Sequence, residues 1–205
     1  MNYATYDIES DILEQGLGSY IAGTDEVGRG SLAGPVVAAA VRIPEEIIPQ
    51  LLYLVKDSKK LSAKKREQLY PIIMSTCDVG FGVVSNETID DINILEATKL
   101  AMHESILNLK SVDYVLIDGT VKIKDLMIPQ LQIIKGDMLS ISIAAASIVA
   151  KVLRDRIMID LHDEYPMYGF NKNMGYGTRA HMFMIQDVGP CPYHRTTFGG
   201  VKEWV

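Results

Sequence analysis

An apolar, strand-like run, Tyr20-Ile21-Ala22-Gly23, is closed by two adjacent carboxylates, Asp25 and Glu26, and Gly28-Arg29-Gly30 follows at once. Two anions at the end of a buried strand are unfavourable unless something cationic sits between or beside them. Glycines on either side of an arginine let the main chain come close to a ligand while a forked cation reaches it. Acids suited to a metal, next to a backbone suited to a phosphate or sugar, point to phosphodiester chemistry. Two later apolar runs end in the same way. Tyr114-Val115-Leu116-Ile117 stops at Asp118-Gly119, and Leu131-Gln132-Ile133-Ile134 stops at Lys135-Gly136-Asp137.

The remaining pattern places these runs in one sheet. Gly34 to Pro44 reads as a second strand bounded by proline, and Val79 to Ser85 as a third, antiparallel to its neighbours. Ser62 followed by Leu69, Ile72 and Ile73 predicts an N-capped amphipathic helix. Ile94 to Leu109 puts Leu95, Met102, Ile106 and Leu109 on one helical face. A long helix is expected from about Ser140 to about Tyr165, and a last one from Thr178. Strands that first meander and then alternate with helices predict an α/β fold, a mixed central sheet with helices on both faces. The two late strands read as central parallel strands. Ligands of such sheets gather at strand ends, where the acids lie.

Asp25, Glu26, Asp118 and Asp137 come from three strand ends that could meet at one sheet edge. Clustered carboxylates repel unless divalent cations neutralise them. Ligands that are all oxygen select hard ions, Mg²⁺ or Mn²⁺. Two such ions about 3.5–4 Å apart can clamp the attacking water and the leaving oxygen of a phosphoryl displacement. Taken singly, each acid reads more readily as a turn or cap residue; the matching set is what carries the argument.

The net charge of −6 hides a local excess of cations: residues 56–66 hold six cations and one anion. A basic patch on an acidic body can still hold phosphates, although an isolated run of this kind is more often a solvated helix start. The length of 205 residues suits one domain, with a small C-terminal segment at about 166–205. Cys77 and Cys191 are the only cysteines, which fits a reducing cytoplasm. The polar, acidic N-terminus reads as no signal peptide, and the longest apolar runs are half the length of a membrane span.

Together the blocks Ala22 to Gly30, Leu32 to Ala40, Asp57 to Leu61, Ile117 to Gly119, Lys135 to Asp137, Ala144 to Val152, Gly175 to Thr178 and His194-Arg195 before Phe198 resemble bacterial ribonuclease HII, a type 2 ribonuclease H. The resemblance implies a ribonuclease H-like fold with a C-terminal helical substrate-binding segment. It implies metal-dependent cleavage of the RNA strand of RNA–DNA hybrids, and cutting 5′ to ribonucleotides embedded in duplex DNA. The products would carry 5′-phosphate and 3′-hydroxyl ends, with a role in RNA primer removal and ribonucleotide excision repair. Carried over, Asp25, Glu26, Asp118 and Asp137 would be the catalytic metal ligands for Mg²⁺ or Mn²⁺. Gly28, Arg29 and Gly30 would contact the 2′-hydroxyl and flanking phosphate. Tyr176 would stack on the next deoxyribose, and Lys59 would lie near a phosphate. The expected protein is a cytoplasmic monomer acting on hybrid and ribonucleotide-containing duplex, with no membrane partner. Sequence preference should be slight, because nothing reads as a base-reading helix.

Other polar residues have plainer readings. His181 and His194 could be phosphate contacts, but are expected to be surface or structural residues. Arg154 and Asp155 are expected in pairs on the helix surface or between elements. Lys151 fits a phosphate track or a snorkelling surface lysine equally well. A hybrid-binding module without catalysis would not need all four acids.

Overall fold

The structure, a computed structural model, describes residues 4–55 and 61–205. In chain order the elements are α1 (Asp7–Glu14), β1 (Ile21–Val27), β2 (Val36–Arg42), α2 (Ile48–Leu54), α3 (Ala63–Thr76), β3 (Asp78–Val84), α4 (Asn86–Ile92), α5 (Ile94–Leu107), β4 (Tyr114–Asp118), β5 (Gln130–Ile133), α6 (Ile141–Glu164), α7 (Phe170–Asn173) and α8 (Arg179–Val188). The cap expected before α3 is in place, and the helices expected to begin near Ser140 and Thr178 are capped by those residues. Ser62, Ser140 and Thr178 accept from the main-chain N–H groups of Lys65, Ile143 and His181, satisfying donors that open α3, α6 and α8.

The five strands form one sheet in the order β3-β2-β1-β4-β5. β1–β2 and β2–β3 are antiparallel, while β1–β4 and β4–β5 are parallel. The chain thus builds one side of β1 and then returns to build the other. The switch lies between β1 and β4, where crevices open at the carboxyl ends of strands. Helix α5 covers one face, packing Ala97, Ala101, Met102 and Ile106 on Ala22, Ala38, Ala40, Val115 and Ile117. Helix α6 covers the other, its Ala144, Ala145 and Val149 joining Ala39, Val41, Leu69 and Ile73 in a second core. The contact between α6 and β1 is close enough that a Cβ on Gly23 would overlap the main chain of Ser142 and Ile143.

Two expectations are corrected. Leu95 is not on the buried face of α5 but is 41% exposed; Asn93 caps the helix here, and the inward face is built from smaller residues. The strand after β4 is not central: β5 is an edge strand, and Leu131 is 40% exposed. The Gln130 side chain ties the preceding loop to this strand: it accepts from Ile123 N–H (2.9 Å) and donates to Ile123 C=O (2.8 Å). Short helices α1, α2, α4 and α7 were not expected from the pattern. No described helix is long and apolar enough to cross a membrane.

Candidate active site

Register brings the first acids together. Thr24 of β1 pairs with Ile117 of β4 in parallel, so Asp25 and Asp118 are the next neighbours along the two strands. Along β4, Val115 and Ile117 face α5 while Leu116 faces α6, so alternation turns Asp118 toward α6. Asp25, Glu26 and Asp118 line one cavity of about 360 Å³ with Val27, Arg66, Ser147, Ile148 and Lys151. Burial, with Glu26 and Asp118 as neighbouring anions, pushes the Asp25 carboxyl well above the usual carboxylate range, against a hydrogen bond from Ser147. Burial also raises Glu26, while the Arg29 guanidinium, 3.1 Å away, pulls it down.

Asp137 stands differently. It is buried in the turn after β5, joined to the site through main chain: the adjacent Gly136 N–H donates to Asp118 Oδ1 at 2.6 Å. It does not line the cavity that holds the other acids. Among the described residues, no three Asp, Glu, His or Cys side chains are already drawn to the spacing of ligands around one ion. The donor set nevertheless fits hard divalent cations: carboxylate oxygens on two neighbouring strands, with the Asp25 carboxyl held towards its neutral form by burial and by the adjacent anions.

Sequence reasoning missed the two residues that shape the adjoining loops. Arg154 is fully buried, not on the helix surface, and donates to the carbonyls of Pro35 (2.9 Å), Met174 (2.9 Å) and Ala33 (3.1 Å). Arg195 is equally buried and donates to Gly28 (2.7 Å), Arg29 (2.9 Å) and Gly34 (2.9 Å) carbonyls. Burial lowers Arg195 to about 9, which leaves it cationic at neutral pH. Gly28 has φ +96°, and a Cβ there would collide with the Arg154 guanidinium. The signal for Arg154 was available: it falls between Ala150 and Met158 at four-residue spacing, on an inward stripe of α6. Arg66, the last cation of the basic run at 56–66, also enters the cavity, as does Ser147, to which sequence reasoning gave no role.

Arg195 thereby presents Gly28-Arg29-Gly30 as a fixed loop, with Arg29 exposed. Tyr176 stands opposite: a Cβ on Gly30 would lie 4.0 Å from its ring. Tyr176 is 39% exposed, with the Arg154 guanidinium 5.7 Å from its ring centroid. Lys151 lines the cavity and pairs with Asp155 at 2.5 Å. Of the two readings left open for His181 and His194, the surface one is corrected: both are buried, against each other. Lys59 lies outside the described residues.

Comparison with known proteins places the chain in a family. The family profile described as Ribonuclease HII matches residues 22–201. Ribonuclease HII of Chlamydia trachomatis serovar L2 is 51% identical over 198 residues, covering 95% of this chain and 88% of the relative. That of Geotalea uraniireducens is 52% identical over 202 residues, covering 97% and 91%. Among solved structures, the one described as the PCNA:RNase HII complex from Archaeoglobus fulgidus superposes with a TM-score of 0.75 at 28% identity, covering 88% of this chain and 96% of that one. The sheet order is that of a ribonuclease H-like fold, and the chain belongs to the ribonuclease HII family, the type 2 ribonuclease H endonucleases.

Proposed function

We propose that this enzyme cleaves the RNA strand of RNA–DNA hybrids and cuts 5′ to single ribonucleotides in duplex DNA, with Asp25, Glu26, Asp118 and Asp137 as ligands of two divalent cations, Mg²⁺ or Mn²⁺. The observation that carries the reading is the convergence of Asp25 and Asp118, register neighbours on parallel strands, in one cavity with Glu26. Bound there, divalent ions supply Lewis-acid activation of a water and charge neutralisation at the leaving oxygen. The chain's own residues do the rest. Ser147 orients Asp25 through a hydrogen bond, and Arg29 holds Glu26 at the cavity rim. Lys151 and Arg66 place positive charge where a phosphate would lie.

Recognition rests on the two facing loops. Only the 2′-hydroxyl distinguishes RNA from DNA at one position, so the close main chain of Gly28-Arg29-Gly30 is suited to read it. Tyr176, whose ring is accessible, stacks on the deoxyribose of the next nucleotide and is crowded by a ribose. The reading also takes Lys59 as a phosphate contact, residues 166–205 as the substrate-binding segment, and the protein as a cytoplasmic monomer. Primer removal and ribonucleotide excision are the roles such cutting serves.

The test is a labelled duplex with one ribonucleotide, incubated with Mg²⁺ or Mn²⁺. Cleavage 5′ to the ribonucleotide, leaving a 3′-hydroxyl and a 5′-phosphate, is expected, with no cutting of the all-deoxy duplex. Equal cutting of both duplexes, or none with either metal, would overturn the reading.

A further inference from the structure

Tyr176 sits in a loop whose main chain is held by a buried histidine pair. His181, on the first turn of α8, and His194 are both essentially inaccessible, and their Nε2 atoms are 3.0 Å apart. Among the contacts around them one donor has a fixed direction, the Cys191 N–H, and it sets the tautomers. Cys191 N–H donates to His194 Nδ1 at 2.9 Å, so that nitrogen carries no proton. The Cys191 carbonyl lies farther off at 3.3 Å, while its thiol sulfur is 3.1 Å from the same nitrogen. A neutral His194 therefore bears its proton on Nε2 and donates it to His181 Nε2. His181 must then carry its own proton on Nδ1, which donates to the Tyr176 carbonyl at 2.9 Å. The rings of Tyr168 and Phe170 wall the pair, with Tyr168 centred 4.7 Å from His194 and Phe170 5.4 Å from His181. An apolar box of this kind favours the neutral forms that the relay needs.

The same short segment reaches the other recognition loop. Arg195, next in sequence to His194, binds the carbonyls of Gly28 and Arg29. Residues 191–195 therefore tie the loop facing the ribose and the loop facing the following sugar to one anchor. A relay that ends on a main-chain carbonyl next to a stacking ring sets where the ring stands relative to Gly30.

We infer that His181, braced by His194, is a positioning residue for Tyr176, and that the pair sets the preference for an RNA-to-DNA junction over continuous RNA. The inference rests on the proposed role of Tyr176. His181 touches neither substrate nor metal in this reading; it acts through the Tyr176 main chain.

The measurement is the ratio of cleavage rates on two duplexes by one enzyme sample, so that a partly folded preparation does not distort it. One duplex carries a single ribonucleotide in DNA and the other a continuous RNA strand on DNA. His181→Phe fills the ring's volume but leaves the Tyr176 carbonyl without this donor. It should lower the junction-to-hybrid ratio about tenfold, the scale of one lost buried hydrogen bond. His181→Asn, whose amide can stand at the Nδ1 position, should bring the ratio back to within about threefold of the parent. Tyr176→Ala is the control and should lower the ratio at least as far. If Tyr176→Ala lowers the ratio and His181→Phe does not, the inference is overturned while the reading of Tyr176 stands. If Tyr176→Ala leaves the ratio unchanged, the reading itself fails and the inference with it. If His181→Phe lowers the ratio but His181→Asn does not restore it, a general packing role replaces the hydrogen-bond role and the inference is again overturned.

Discussion

Two buried arginines beside the Gly28–Gly30 and Tyr176 loops donate to main-chain carbonyls. A guanidinium presents five donors in a rigid fork, so one side chain can fasten several turns of irregular backbone that have no ladder of their own. Arg154 spans the start of β2 and the loop before Tyr176, and Arg195 spans Gly28 to Gly34. Arg154→Met keeps much of the stem but orphans three carbonyls. Urea unfolding should show a loss of about 3 kcal/mol or more, since each buried unsatisfied group is worth roughly 1–3 kcal/mol. For the acids, Asp137→Asn should reduce single-turnover cleavage by more than about 100-fold while leaving hybrid binding near that of the parent. Loss of a charged ligand weakens the ion at least as much as loss of its supporting shell does. A variant that cleaves normally would remove Asp137 from the proposed ligand set. These roles were unevenly visible beforehand. Asp25, Glu26 and Asp118 announced themselves by following apolar runs, but Arg154 was hidden because a polar residue in a helix reads as surface unless its inward register is noticed.

At the level of helices and strands, the position of α6 against β1 governs the site. Gly23 lies two residues before Asp25, on the face where α6 packs. Gly23→Ala would place a methyl group inside the main chain of Ser142 and Ile143, so the helix must move or the strand must twist. Such overpacking should cost about 1–3 kcal/mol in a denaturant titration. It should also lower activity beyond what the stability loss explains, because Ser147 on α6 and Asp25 on β1 would separate. Unchanged activity in the folded fraction would show that the helix tolerates the shift. The strands themselves were readable because apolar runs of β-branched residues bounded by glycine and proline have few alternatives. Edge or centre was not readable for β5: Leu131 and Ile133 look the same in either place, and only the partner count distinguishes them.

Taken as a unit, the protein has opposing buried titrations. Burial and the neighbouring His181 push His194 from an ordinary value near 6.5 down to about 4. Between those two values the unfolded chain takes up a proton that the folded chain refuses, so stability rises with pH across that window and falls on acidification. Thermal unfolding from pH 7 to pH 4.5 should show a falling midpoint, and His194→Asn should flatten that fall relative to the parent. Asp25 and Glu26 act in the reverse sense, since their raised folded values favour the protonated folded state and stability from this source is lost as pH rises. Adding Mg²⁺ or Mn²⁺ at pH 7.5 should therefore raise the midpoint in the parent more than in Asp25→Asn. Equal shifts would show that the ions bind elsewhere.

The local code was enough to identify the strands, the capped helices, the acid at each strand end and the glycine–arginine loop, because each depends on neighbours a few residues away. Strand order, the meeting of Asp25 and Asp118 in one cavity, the withdrawal of Asp137 from it and the buried fastening of both loops depend on residues separated by tens to well over a hundred positions. Those arrangements arise from packing and hydrogen-bond satisfaction in three dimensions.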